Sequence, residues 1–134
     1  MSSYTMTITI DADPSEAERR VRSALQEQGF GILSEIDVEA ALRDKLGEEI
    51  GAYKILGACN PPLAKQAIDV DADIGALLPC NVLLRANPAG GTDVVAADPH
   101  AMMALGPAEL DDVATDARAR LDAALTALSG GGSA

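Results

Sequence analysis

Two cysteines, each followed by asparagine and each beside proline, are the residues of this chain best suited to chemistry: Cys59-Asn60-Pro61-Pro62 and Pro79-Cys80-Asn81. A thiol that ends a strand directly before a helix faces free backbone N–H groups and the positive end of the helix dipole, which favour thiolate. Cys59 is expected there. Together the two thiols could hold a soft metal ion, or exchange electrons as a dithiol and disulfide. The plainer reading is two small packed side chains, since free cysteine behaves as a buried apolar residue. The 20 intervening residues match neither a CxxC motif nor a short metal knuckle, so topology decides. Antiparallel neighbouring strands would bring the thiols together, whereas parallel ones would set them roughly 20 Å apart at opposite edges.

Other polar candidates are weaker. Glu35 and Asp37 flank Ile36 and project to one face, where they could supply carboxylates to a site. Asp37 also reads as a helix cap and Glu35 as a solvated strand residue. His100 is the single histidine and cannot build a metal site alone. Met102 and Met103 read as core filler, and Lys54 as a surface charge that could hold an anion. The chain has no GxGxxG, GxxxxGK[ST], HExxH or GxSxG, and nucleotide-dependent chemistry has no sequence support. Gly29-Phe30-Gly31 follows a helix rather than a strand and is no phosphate loop.

The elements that must position these residues follow from periodicity and punctuation. Tyr4, Met6, Ile8 and Ile10 alternate with threonines, a half-buried strand. Asp13-Pro14-Ser15-Glu16 opens a helix, with Glu16 able to reach back to the cap, and Gly29 closes it. A second strand runs from Phe30 to Ile36. Asp37 caps a short helix carrying Val38, Ala41, Leu42 and Leu46, closed by Gly47. Tyr53 to Cys59 is a third strand, and Asn60-Pro61-Pro62 opens a helix with Leu63, Ala64, Ala67 and Ile68 inward. After a mixed connection, Cys80 to Ala86 and Thr92 to Ala97 form a hairpin about Asn87-Pro88-Ala89-Gly90-Gly91. A short helix carries Met102, Met103 and Leu105. The longest helix, 109–128, buries Leu110, Val113, Ala117, Leu121, Ala124, Leu125 and Leu128. The order βαβαβαββαα predicts one α+β domain over residues 1–128, with a mixed or mainly antiparallel five-stranded sheet packed by helices. Residues 129–134 form a Gly/Ser tail expected to be disordered.

At 134 residues the chain supports one hydrophobic core, built from Leu, Ile, Val, Met and Ala because it has one Phe, two Tyr and no Trp. Its formal net charge of −11 repels phosphates and anionic head groups, and no basic cluster offsets that; nucleic acid and membrane surfaces are excluded as partners. No stretch is long and apolar enough to span a bilayer, and Met1 to Thr9 does not read as a signal peptide, so a reducing cytoplasm with free thiols is expected. Asp outnumbers Glu, 13 to 8, and Lys is scarce, which is the balance of a protein solvated in concentrated salt or the codon bias of a GC-rich genome.

Three segments carry a family resemblance: Glu27-Gln28-Gly29-Phe30-Gly31-Ile32-Leu33-Ser34-Glu35-Ile36-Asp37, Lys54-Ile55-Leu56-Gly57-Ala58-Cys59-Asn60-Pro61 and Leu78-Pro79-Cys80-Asn81-Val82. Over about residues 4–128 the sequence resembles the bacterial and archaeal domain of unknown function 302 family. The resemblance implies a compact α+β fold, often a homodimer, with Glu35, Asp37, Cys59, Asn60, Pro61 and Cys80 as signature positions. It implies no established activity.

Three functions stay open. The first is a binding module whose cleft near Cys59, Asn60 and Cys80, with Glu35 and Asp37, takes a small ligand or a soft metal ion. The second is a thiol redox enzyme with Cys59 as nucleophile and Cys80 resolving. The third is a homodimeric interaction protein with structural cysteines. The surface composition has its own test. A salt-adapted surface predicts a denaturation midpoint that rises as KCl is taken into the molar range; an unchanged midpoint leaves codon bias as the explanation.

Overall fold

The structure, a computed structural model, describes residues 3–132. The chain runs β1 (Thr5–Ile10), α1 (Pro14–Glu27), β2 (Gly31–Asp37), α2 (Val38–Leu46), β3 (Tyr53–Cys59), α3 (Pro61–Val70), β4 (Cys80–Ala86), β5 (Thr92–Ala97), α4 (Pro99–Met103) and α5 (Asp111–Gly132), with single 3-10 turns at Ala72–Leu77 and Ala108–Leu110. The strands form one sheet in the order β1-β5-β4-β3-β2. Every neighbouring pair is antiparallel, so the sheet is not mixed.

Alternation divides the sheet into two unlike faces. Met6, Ile10, Leu56, Ala58, Val82, Leu84, Val94 and Ala96 point one way and are buried beneath α1 and α5. Ala17, Val21, Ala24 and Leu25 of α1, and Leu121, Ala124, Leu125 and Leu128 of α5, close that layer. A second, smaller core joins α3, α4 and the start of α5 through Leu63, Ala67, Ile74, Met103, Leu110, Val113 and Ala117. The opposite face, with Tyr53, Ile55, Leu83 and Val95, is only half-buried.

The caps form as the residues dictate. Asp13 accepts from the Glu16 amide at 2.8 Å and Asp37 from the Ala40 amide at 2.9 Å. Glu16 does not complete a capping box; its carboxylate takes the guanidinium groups of Arg19 and Arg20 instead, one turn further along. Gly29 (φ 87°) ends α1 in the left-handed region, and the Phe30 amide returns to the Leu25 carbonyl at 2.9 Å.

Ile68, expected inward on α3, is exposed, and it is one of several apolar side chains outside both cores. Helix α2 buries none of its residues, and Leu46 is 67 % exposed. The helix packs mainly on β3, away from the layer of α1 and α5, so its apolar side meets no core. Leu105 is likewise exposed, beyond the reach of the second core. Helix α5 continues past Leu128 to Gly132; residues 133–134 of the expected tail lie outside the described residues.

One polar knot ties the sheet's open face together. Asp93, 5 % exposed, accepts from Thr9 Oγ1 at 2.7 Å, Asn87 Nδ2 at 2.7 Å and Arg85 Nε at 3.1 Å. Burial alone would raise its pKa, but the bonds from Asn87, Thr9 and Arg85 outweigh it and hold the carboxyl below the ordinary value of 3.8. A depressed carboxyl stabilises the fold above its unfolded pKa, and that contribution disappears as pH falls through the lower folded value. Asp93→Ala, which leaves three partners unmatched, is expected to cost about 2 kcal/mol in urea unfolding at neutral pH. The loss relative to the native chain should shrink as pH falls below 3.8.

Candidate functional site

Antiparallel pairing of β3 with β4 sets Ala58 opposite Cys80, so Cys59 lies one residue beyond that pair, at the same end of the sheet. On its other side Cys59 pairs with Gly31 of β2. Cys80 shares the helix-facing side with Val82 and Leu84. Both cysteines are free thiols, half-buried, and both line one small apolar pocket with Phe30, Asn60, Leu63 and Met103. Its volume is about 20 Å³, room for one atom-sized occupant. Beside it a second pocket of about 70 Å³ lies between Leu77, Leu78, Pro79, Cys80, Met102 and Met103.

The surroundings of this corner are tightly held. Asn60 is buried and caps α3, accepting from the Leu63 amide at 3.3 Å while its Nδ2 donates to the Gln28 carbonyl at 3.3 Å. It thereby fastens the start of α3 to the end of α1. Gly57 allows the close approach of β2 and the Pro79 ring: a Cβ there would stand 2.2 Å from Ser34 Oγ and 2.7 Å from Pro79 Cγ. The Leu78–Pro79 peptide bond is cis.

Two observations bear on the thiols' chemistry. Pro61 and Pro62 have no N–H, the Leu63 amide donates to the Asn60 side chain, and the Ala64 amide donates to the Asn60 carbonyl at 2.8 Å. The start of α3 therefore offers Cys59 none of the free donors that its place before a helix suggests. Burial pushes the Cys80 thiol up to about 11, with nearby Cys59 adding in the same direction.

The structure does not bring the two acidic candidates to this corner. Glu35 pairs across β3 with Leu56, and Asp37 with Lys54 near the far end of the strand, about 17 Å from Cys59 at the rise of a strand. Glu35 receives Arg22 and Lys54, each at 2.9 Å, and Lys54 also reaches Glu18 at 2.9 Å. The hydrogen bond from Lys54, with its charge and that of Arg22, lowers the Glu35 pKa. Asp37 caps α2. His100 sits 2.9 Å from Thr115 Oγ1, apart from both cysteines' pockets. Among the described residues, no three of His, Cys, Asp and Glu gather as a metal-binding group.

A feature invisible to motif reading lies on the open face. Tyr4, Tyr53, Ile55, Leu83, Arg85 and Val95 help line a broad concavity of about 880 Å³, bordered at one end by Asn81 and Met102. The signal in the sequence is Arg85 and Asp93 in facing strands of a hairpin, with both tyrosines elsewhere in the chain.

An antiparallel five-stranded sheet with a helical layer over one face defines a small α+β domain. Residues 6–128 match the family described as "Domain of unknown function DUF302", and the chain belongs to that family. A crystal structure of an uncharacterised conserved DUF302 protein from Bacillus stearothermophilus is 25 % identical; the match covers 93 % of this chain and 98 % of that one, with a TM-score of 0.86. No curated protein matches the sequence. Among the described residues, no helix is long and apolar enough to cross a membrane.

Proposed function

We propose that this DUF302 chain is a binding module for a soft, thiophilic metal ion at the corner of Cys59 and Cys80. The observation that supports it is the joint lining of one atom-sized pocket by Cys59, Cys80 and Met103. Two thiols and a thioether are the donor set that suits monovalent copper, and their apolar surroundings disfavour harder, strongly hydrated cations. Asn60 fixes the strand-to-helix turn that carries Cys59. A redox role is less well supported. The Cys80 thiol is protonated at neutral pH, and Cys59 lacks the backbone donors that would activate a nucleophile.

Metal binding must displace the Cys80 proton, so affinity rises with pH. Copper(I) competition against bathocuproine disulfonate should show one ion per chain, with the apparent affinity rising about tenfold per pH unit for that proton between pH 6 and 8. Cys59→Ser and Cys80→Ser should each weaken binding by about tenfold or more, the scale of losing a metal's supporting group. No ion bound, or unchanged affinity in the serine variants, would mean that the thiols only pack.

We infer also that the module works as a homodimer through the edge built by β2 and α2. Leu33 is 71 % exposed on the edge strand, close in sequence to exposed Ile36, and α2 buries no residue fully, with Leu46 exposed near its end. A nine-residue helix is not stable on its own in water, which favours a packed partner. Sedimentation velocity should give a dimer that Leu46→Glu converts to a monomer with the same circular dichroism; a monomeric native chain overturns this reading.

A further inference from the structure

The open face of the sheet has a chemistry of its own. Register places Thr7, Val95, Leu83 and Ile55 in one row across four strands, all pointing away from α1 and α5. The adjoining row is Thr9, Asp93, Arg85 and Tyr53. The first row, with Arg85 and Tyr53 of the second, lines a concavity of about 880 Å³, which has the size and the mainly apolar floor of a site for a small organic molecule.

Two distributions set it apart from ordinary surface. The chain has 21 carboxylate residues, yet among the described residues none lines this concavity, and its single charged lining residue is Arg85. The chain's only two tyrosines both line it, in a protein that has no tryptophan and one phenylalanine. Phe30 is in the core, so aromatic rings with a polar tip are reserved for this face.

Arg85 is held rather than loose. Its Nε donates to Asp93, which is itself fixed by Thr9 and Asn87. That leaves the two Nη nitrogens for a further acceptor, on a side chain that is 46 % exposed. A guanidinium oriented by a buried carboxylate beside an apolar floor is suited to a carboxylate head group. We propose that the open face binds an amphipathic monocarboxylate, its apolar body over Val95, Leu83 and Ile55 and its carboxylate on Arg85. The carboxylate replaces water at Arg85, and no bond is made or broken. This site is independent of the metal reading.

The probe is decanoate below its micellar concentration, compared with decanol and decyltrimethylammonium by amide NMR on the full chain. Decanoate is expected to shift the amides of Ile55, Leu83 and Val95 and to bind about tenfold or more tightly than decanol, with the preference shrinking as salt rises. Arg85→Gln should erase the preference while apolar binding remains, and Leu83→Asn should weaken decanoate and decanol alike. Cys59→Ser and Cys80→Ser should leave decanoate binding unchanged, which separates this site from the metal corner. Should Arg85→Gln fail to fold, the salt dependence and shift pattern of the native chain decide. Equal binding of the three probes, shifts confined to other faces, or no binding overturns the proposal. So does a native dimer in which these amides are protected from exchange by the partner.

Discussion

The whole molecule depends on a sheet that is covered on one face only. Alternation in β1, β4 and β5 sends Met6, Ile10, Val82, Leu84, Val94 and Ala96 to one side, and α1 and α5 bury them with alanine-rich faces. Alanine does for this core what aromatic rings do in others: Ala17, Ala24, Ala96 and Ala124 let backbone layers approach, so the larger Leu, Ile and Val residues fill the remaining space. Once that layer is closed, the opposite face must be managed with polar groups and with whatever binds there. The Asp93 knot is the polar part of that solution. It joins β1, β4 and the hairpin on the uncovered side, where no apolar layer could do so.

The same all-antiparallel topology makes the cysteine corner. Because β3 runs toward the end from which β4 departs, the 20 residues between the thiols return to nearly the same place. Gly57 and Asn60 then set how closely the pieces meet. Glycine admits Ser34 and Pro79 over β3, and the asparagine amide ties two helix ends that sequence separates widely. The result is an apolar, closely packed corner. That environment keeps Cys80 as a neutral thiol, and it is also the environment in which a soft ion loses little by leaving water.

Much of this was legible in local chemistry. Asp13, Asp37, Asn60 and Asp98 announce the helices they cap, because a short polar side chain before a turn has few other uses. The face of α5 was legible because one long helix carries its own periodicity. What escaped reading were properties that exist only between elements. Helix α2 has an apolar side in sequence, but whether a core meets it depends on where the sheet ends. Pro61 and Pro62 were visible as helix openers, yet their lack of N–H groups matters only once Asn60 is seen to take the next donor. Arg85 and Asp93 are unremarkable strand residues until register sets them side by side.

Strand β4 carries the two candidate sites on opposite faces of adjacent residues. Cys80 lines both small pockets, while Asn81 lines the open concavity and the larger of the two. Met102 lines both the larger helix-side pocket and the concavity, from the short helix that follows β5. Occupancy on one face changes the free energy of binding on the other only if the two ligands prefer different positions of these elements. The cis Leu78–Pro79 bond and the turn at Ala72–Leu77 lie directly before this strand end, so the helix-side pocket is walled by the segment that leads into β4. The physical link between the sites is thus the start of β4, where Cys80 faces the thiol pocket and Asn81 the concavity, together with Ala97 and Met102 beside it.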